Sequence, residues 1–192
     1  SLANEEVFIF HQEAFADRIE LERILHHLKG HVKGFHPIEI LSEDISLDDL
    51  VSSYLLNSQL ITVKNNEMMM LLPEEVQNHS NCMRWLEEIK SSSPIKHIEF
   101  VDILQSMMNG GGPACLRFKT TVNNDELNQI NEKFLLTPKK LMDLRALVTK
   151  YYRDKLNPAD LLDNNLVQES YRFLDELTQL LDLGNVYDFQ KF

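Results

Sequence analysis

Cysteine is nearly absent from this chain of 192 residues: only Cys82 and Cys115 occur, too few for a disulfide framework and without the paired spacing of a zinc site. Positive charge is also short, with 19 Lys and Arg against 30 Asp and Glu and a formal net charge of −11. Binding to phosphate backbones or anionic lipid needs a concentrated basic face, so no nucleic acid and no membrane surface is expected as a partner. A cationic or neutral small molecule suits the charge better. No apolar run reaches the roughly eighteen residues of a membrane span, and no basic start precedes an apolar stretch. Neither a transmembrane helix nor a signal peptide is expected, and the chain reads as cytoplasmic. Neither a P-loop nor a GxGxxG pattern occurs, so the glycines do not indicate a nucleotide.

Against these absences stands an ordinary soluble composition, 43% hydrophobic and 26% charged, enough for one or two compact units with a real core. Glycine is scarce, yet three of the six are consecutive. They lie in the run Asn109-Gly110-Gly111-Gly112-Pro113-Ala114-Cys115-Leu116-Arg117, which sets a thiol directly after a glycine loop and at the head of a strand-like segment. Consecutive glycines permit positive φ and close approach to a ligand, and a thiol at a loop-to-strand junction can be aimed into a cleft. A tight turn followed by a buried, inert Cys115 is the competing reading.

Periodicity predicts strands alternating with helices. Strands are expected over 6–10 and 38–41, with a helix over 14–28 that Gly30 and Gly34 end. Ser46 should cap a short helix with an acidic first turn. Residues 60–63 and 68–72 read as a hairpin around Asn65 and Asn66. A helix over 81–90 and strands over 95–101 and 115–122 follow. From Asn124 the pattern turns helical: Thr137-Pro138 caps 139–155, Asn157-Pro158 opens a short helix, and a last helix over 166–181 ends at Gly184. The expected fold class is therefore α/β with a helical C-terminal third.

Other candidate groups carry weaker signals. His26, His27, His31 and His36 cluster, and His27 and His31 are spaced as two zinc ligands on a helix are, but no third ligand is fixed and no metal is expected. Met68, Met69 and Met70 read as a buried strand rather than a soft-metal site. Cys82, near a helix start but beside Met83 and Trp85, reads as structural. Glu43, Asp44, Asp48 and Asp49 read as a solvated face with helix N-terminal charge. His79 and His97 have no evident partner.

Five strings, VFIFHQEAFAD at 7–17, YLLNSQL at 54–60, QSMMNGGGPACLR at 105–117, YYRDKLNPADL at 151–161 and LGNVYDFQ at 183–190, occur in the order and spacing of the C-terminal part of the N-succinylarginine dihydrolases, which the chain resembles along essentially its whole length. The resemblance implies the fold of the guanidino-group-modifying enzymes, an α/β propeller of repeated ββαβ units with the active site on its axis. It implies hydrolysis of N2-succinylarginine to N2-succinylornithine, carbon dioxide and two ammonia molecules in arginine catabolism, with no cofactor. Cys115 matches the family nucleophile and Asn109 a substrate-binding position. Asn57 and Ser58 fall in a matching string without an assigned role, and His11 is expected to pack or hydrogen-bond locally. The family's general acid/base histidine belongs to a His-Asn-Asp motif just upstream of the segment matched by 7–10. Residues 1–192 are thus expected to be a C-terminal part of a single propeller domain, a partial propeller, inactive alone, and a homodimer is compatible with it. The alternative is a binding or assembly module that keeps the fold without the chemistry.

Overall fold

The structure is a computed structural model that describes residues 1–64, 67–108, 111 and 120–191. The chain divides into two compact units, Ser1–Lys119 and Thr120–Phe192.

The first unit contains two successive modules of one topology. In the first module, β1 (Leu2–Asn4) pairs antiparallel with β2 (Val7–His11), Leu2 opposite Ile9. A 3-10 turn (Gln12–Ala14) and helix α1 (Arg18–His31) then carry the chain back to β3 (His36–Ile40), parallel to β2. A short helix, α2 (Leu47–Ser52), follows. The second module repeats the sequence of elements. β4 (Gln59–Thr62) pairs antiparallel with β5 (Met68–Pro73), a 3-10 turn (Glu74–Asn78) and α3 (Ser80–Ser92) cross over, β6 (Ile95–Val101) runs parallel to β5, and α4 (Leu104–Met108) follows. The ββαβ units that the resemblance implies are present twice, as separate three-stranded sheets. The described residues close neither a barrel nor a propeller.

Alternation explains the packing. Met68, Met70 and Leu72 of β5 are fully buried at the period of two that a half-buried strand requires, whereas in β2 Val7, Ile9, Phe10 and His11 are all buried. Cys82, Trp85, Leu86 and Ile89 recur at helical spacing on the buried stripe of α3. All of them except Phe10 and His11 join one core that also takes Leu2, Ile40, Leu60 and Ile95. Asn4 Nδ2 donates to Thr62 Oγ1 at 2.8 Å, tying β1 to β4 across the two sheets.

Several helix boundaries differ from the sequence reading: the helix expected over 139–155 ends at Tyr151, the one expected over 81–90 runs Ser80–Ser92, and α1 shifts at both ends. Asp17 accepts the Glu20 N–H at 2.9 Å and so starts α1 at Arg18 rather than at Ala14. Gly30 does not end α1: the helix runs through it to His31, and the left-handed residue is Gly34, at φ +77.

The second unit is helical: α5 (Asn124–Gln129), α6 (Pro138–Tyr151) and α7 (Asn164–Leu180), with 3-10 turns between and after them. Thr137 caps α6 with Pro138 at its first turn, as expected. Phe173 of α7 packs against Tyr152 (centroids 4.9 Å) and edge-on to Tyr151, and Lys150 bridges to Glu176 at 2.6 Å. Asp182 takes the left-handed position directly after α7, at φ +57, and Gly184, two residues on, is left-handed as well, at φ +67. The N–H groups of Asp182 and Leu183 reach the Gln179 and Thr178 carbonyls at 3.1 and 2.9 Å, closing the helix end. The strand expected over 115–122 falls outside the described residues as far as 119, and 120–122 carry no regular element. Asn65 and Asn66 of the hairpin turn also fall outside them.

Candidate functional site

Cys115 and Asn109, the residues expected to do chemistry and to hold substrate, lie outside the described residues, as do Gly110 and Gly112. The approach to them is described. After β6 the chain enters α4, whose end meets Gly111 in a reciprocal pair of hydrogen bonds. Gly111 N–H donates to the Ser106 carbonyl at 2.8 Å, and Ser106 Oγ donates to the Gly111 carbonyl at 2.6 Å. A Cβ at Gly111 would lie 3.0 Å from Ser106 Oγ and 3.5 Å from the Ser106 carbonyl, so a side chain there would press on the Ser106 hydroxyl. Asn57, half-buried in the connection from α2 to β4, sets its Nδ2 3.7 Å from Met107 Sδ. Two strings fifty residues apart, YLLNSQL and QSMMNGGGPACLR, therefore meet at α4. Its neighbour Ser58 turns inward, fully buried, and donates to the Leu55 carbonyl at 2.5 Å.

The remaining candidates resolve into structural roles. His11 is buried, with Nε2 3.0 Å from the Ile45 carbonyl and Nδ1 accepting the Glu13 N–H at 3.2 Å; the Glu13 bond is the local one expected, and the Ile45 bond joins it to a segment thirty-four residues on. Cys82 is buried against Ser53 Oγ at 3.6 Å, and burial pushes its thiol above the ordinary value, the opposite of what a nucleophile needs. The His27 and His31 rings stack at 4.1 Å, and His31 Nδ1 pairs with the His27 carbonyl. No group of three or more metal-ligating side chains forms among the described residues. Asp49 accepts from Ser46 Oγ at 2.9 Å and Asn81 Nδ2 at 2.7 Å and faces His79 at 3.3 Å. The Ser46 and Asn81 hydrogen bonds, with His79 behind them, hold its carboxyl below the usual range. His97 pairs with Glu67 at 3.1 Å. Both histidines thus have partners thirty residues away that no local pattern announces.

A family model described as succinylarginine dihydrolase matches residues 1–190. The chain belongs to the succinylarginine dihydrolase family. It is 41% identical over its whole length to an N-succinylarginine dihydrolase of Pseudoalteromonas atlantica, and 40% identical over 99% of its length to one of Pseudoalteromonas translucida. In each case it covers 43% of the relative, so the chain spans less than half the length of these curated dihydrolases. No helix among the described residues is long and apolar enough to cross a membrane.

The strings that link this chain to the dihydrolase family are also its structural fasteners. In VFIFHQEAFAD, Phe15 packs edge-on against Phe8 and Phe10, at 6.3 and 5.7 Å. In YYRDKLNPADL, Arg153 grips Glu169 through Nε at 2.8 Å and Nη2 at 3.0 Å, and Asp163 through Nη2 at 2.8 Å. This grip raises the Arg153 guanidinium further above its already high value and, acting chiefly through the Arg153 hydrogen bond, lowers the Asp163 carboxyl. Arg153 lies on a cleft of about 320 Å³ whose apolar wall includes Tyr151, Leu156 and Phe173; with both carboxylates engaged, it is spoken for. In LGNVYDFQ, Gln190 donates to Asp175 at 2.8 Å and Thr178 at 2.7 Å and accepts from Val186 and Tyr187 N–H, pinning the C-terminal segment to α7. Local spacing in the sequence announces none of these contacts.

Proposed function

We propose that this chain supplies the thiol and part of the substrate pocket of a hydrolase that converts N2-succinylarginine to N2-succinylornithine, carbon dioxide and two ammonia molecules. The observation that carries the reading is the family match over residues 1–190, which contains the NGGGPACLR string intact. Cys115 is the nucleophile and Asn109 a substrate contact. The Cys115 thiolate attacks the guanidinium carbon and forms a C–S bond, and one nitrogen, once protonated, leaves as ammonia. Water then attacks the same carbon, breaks the C–S bond and leaves a ureido product. A second cycle on the ureido carbon consumes a second water, releases the second ammonia and leaves a carbamate, which decomposes to the amine and carbon dioxide. Each cycle needs a proton acceptor and donor, a part we assign to an imidazole outside residues 1–192. The substrate's guanidinium group, brought against the thiol, favours the thiolate. In this reading the ββαβ modules belong to a single propeller domain working in the cytoplasm.

Ammonia release from N2-succinylarginine by the protein at the full length of its relatives, beside its Cys115→Ser variant, tests the proposal. Release that falls by at least about a thousandfold in the variant is the expected result. No release from the folded full-length protein would refute it.

A further inference from the structure

The two ββαβ modules share a topology but seat their crossover helices differently. α3 sends Cys82, Trp85, Leu86 and Ile89 into the core of the first unit, whereas α1, of nearly equal length, buries only Leu21. Among the described residues, no side chain of α1 joins that core. Ile19 and Ile24 of the same helix are 83% and 43% exposed. Between α1 and the β1–β2 side of the sheet an apolar cleft of about 320 Å³ remains, walled by Phe8 and Phe15 and, from the helix, by Leu25 and Leu28. Space left unfilled there forfeits the contacts that would hold helix to sheet. Both ends of the helix are lightly held. At its start Arg18 pairs with Glu39 of β3 through Nη1 at 2.5 Å and Nη2 at 3.2 Å, an exposed pair of the kind that adds little. At its end stand Gly30 and Gly34. Gly34 uses its freedom, at φ +77, but Gly30 is helical, and a Cβ there would meet nothing within 4 Å. Neither conformation nor crowding calls for glycine at position 30, where it only loosens the last turn.

We infer that α1 is a hinged flap: it lifts from the β1–β2 side as a unit, pivoting over Gly30 to Gly34, and opens the apolar cleft while the strands and α3 stay in place. An element with few buried apolar contacts opens at a lower free energy than the core beside it, and hinges lie at element ends that absorb the change in backbone angles. Leu21 is the latch, the one buried side chain of α1 whose packing must be undone. α3 has no such freedom, because four of its side chains are shared with the core that both modules build.

Amide hydrogen exchange of the full-length protein, read by mass spectrometry on peptides from α1 and α3, tests the flap. The α1 amides should exchange at least about a hundredfold faster than those of α3, at a rate that low urea barely moves, because a local opening exposes little surface. Gly30→Ala should slow α1 exchange about fivefold and leave α3 unchanged. Leu21→Ala should bring α1 close to the rate of an unstructured chain while α3 stays within about threefold of its original rate. Equal protection of α1 and α3 in the unsubstituted protein would overturn the inference. So would a Gly30→Ala protein in which α1 exchange does not slow. An effect of Leu21→Ala that reaches α3 as strongly as α1, or a failure of that variant to fold, would also overturn it, since the helix would then open only with the whole module.

Discussion

Asp182 sits at φ +57 where α7 ends, in a conformation that glycine adopts freely and that costs an L-residue free energy. Asp182→Gly is expected to stabilise the helical unit by about 0.5–1 kcal/mol, read as a higher denaturation midpoint in urea. Asp163 gives a pH-dependent counterpart. The Arg153 hydrogen bond and the Asn165 N–H hold its carboxyl below the ordinary 3.8. Its folded value lies below its unfolded value, so the stabilisation is fully present above about pH 4 and disappears as pH falls through the folded value. Asp163→Asn keeps an oxygen to cap α7 but loses the charge. It should lower the melting temperature at neutral pH and flatten its decline below about pH 4, followed by far-ultraviolet circular dichroism; an unchanged acid profile would count against the Arg153 grip. Single residues were legible where one neighbour decides them: Cys82 reads as structural from Met83 and Trp85. His79, Asp49 and Asn81 were not legible as a cluster, because folding of α2 beside α3 brings them together.

Elements were legible in proportion to their punctuation. β6 spans Ile95–Val101, as read, bounded by Ser93-Pro94 and by the end of its β-branched and aromatic run. α6 begins at Pro138 because Thr137 accepts the Lys140 N–H at 3.2 Å. Removing that acceptor in Thr137→Ala should cost about 1 kcal/mol, measured as a lower urea midpoint of the helical unit. β1 went unread, since three residues offer no periodicity and it exists by pairing with β2. Gly30 misled for a physical reason. A glycine inside the last turn lowers helix propensity without forbidding it, and the Val32 N–H to Leu28 carbonyl bond at 2.7 Å carries α1 past it.

At the scale of the molecule, the two ββαβ modules share topology and burial rhythm rather than residues, and so no repeat is visible in the sequence. The strand order and the parallel return through α1 and α3 emerge from pairing between distant segments. The candidate site was legible only as a string. NGGGPACLR announced a thiol, while the Ser106–Gly111 hydrogen bonds and the Asn57–Met107 contact required coordinates. The chain covers 43% of the length of the two curated relatives, and the proposed chemistry draws its proton carrier from outside residues 1–192. The 192-residue chain alone is accordingly expected to release no ammonia from N2-succinylarginine under conditions where the full-length protein does. Turnover by the short chain would relocate the acid/base group to one of its own seven histidines.

The sheet orders β1-β2-β3 and β4-β5-β6 make β2 and β5 the middle strand of each module. Their peptide groups bond to a neighbour on both sides while their side chains fill the shared core. In deuterated water these two strands will be the last to surrender their amide protons, since exposing them requires both modules to come apart at once. Val7–His11 and Met68–Pro73 thus mark the cooperative heart of the first unit.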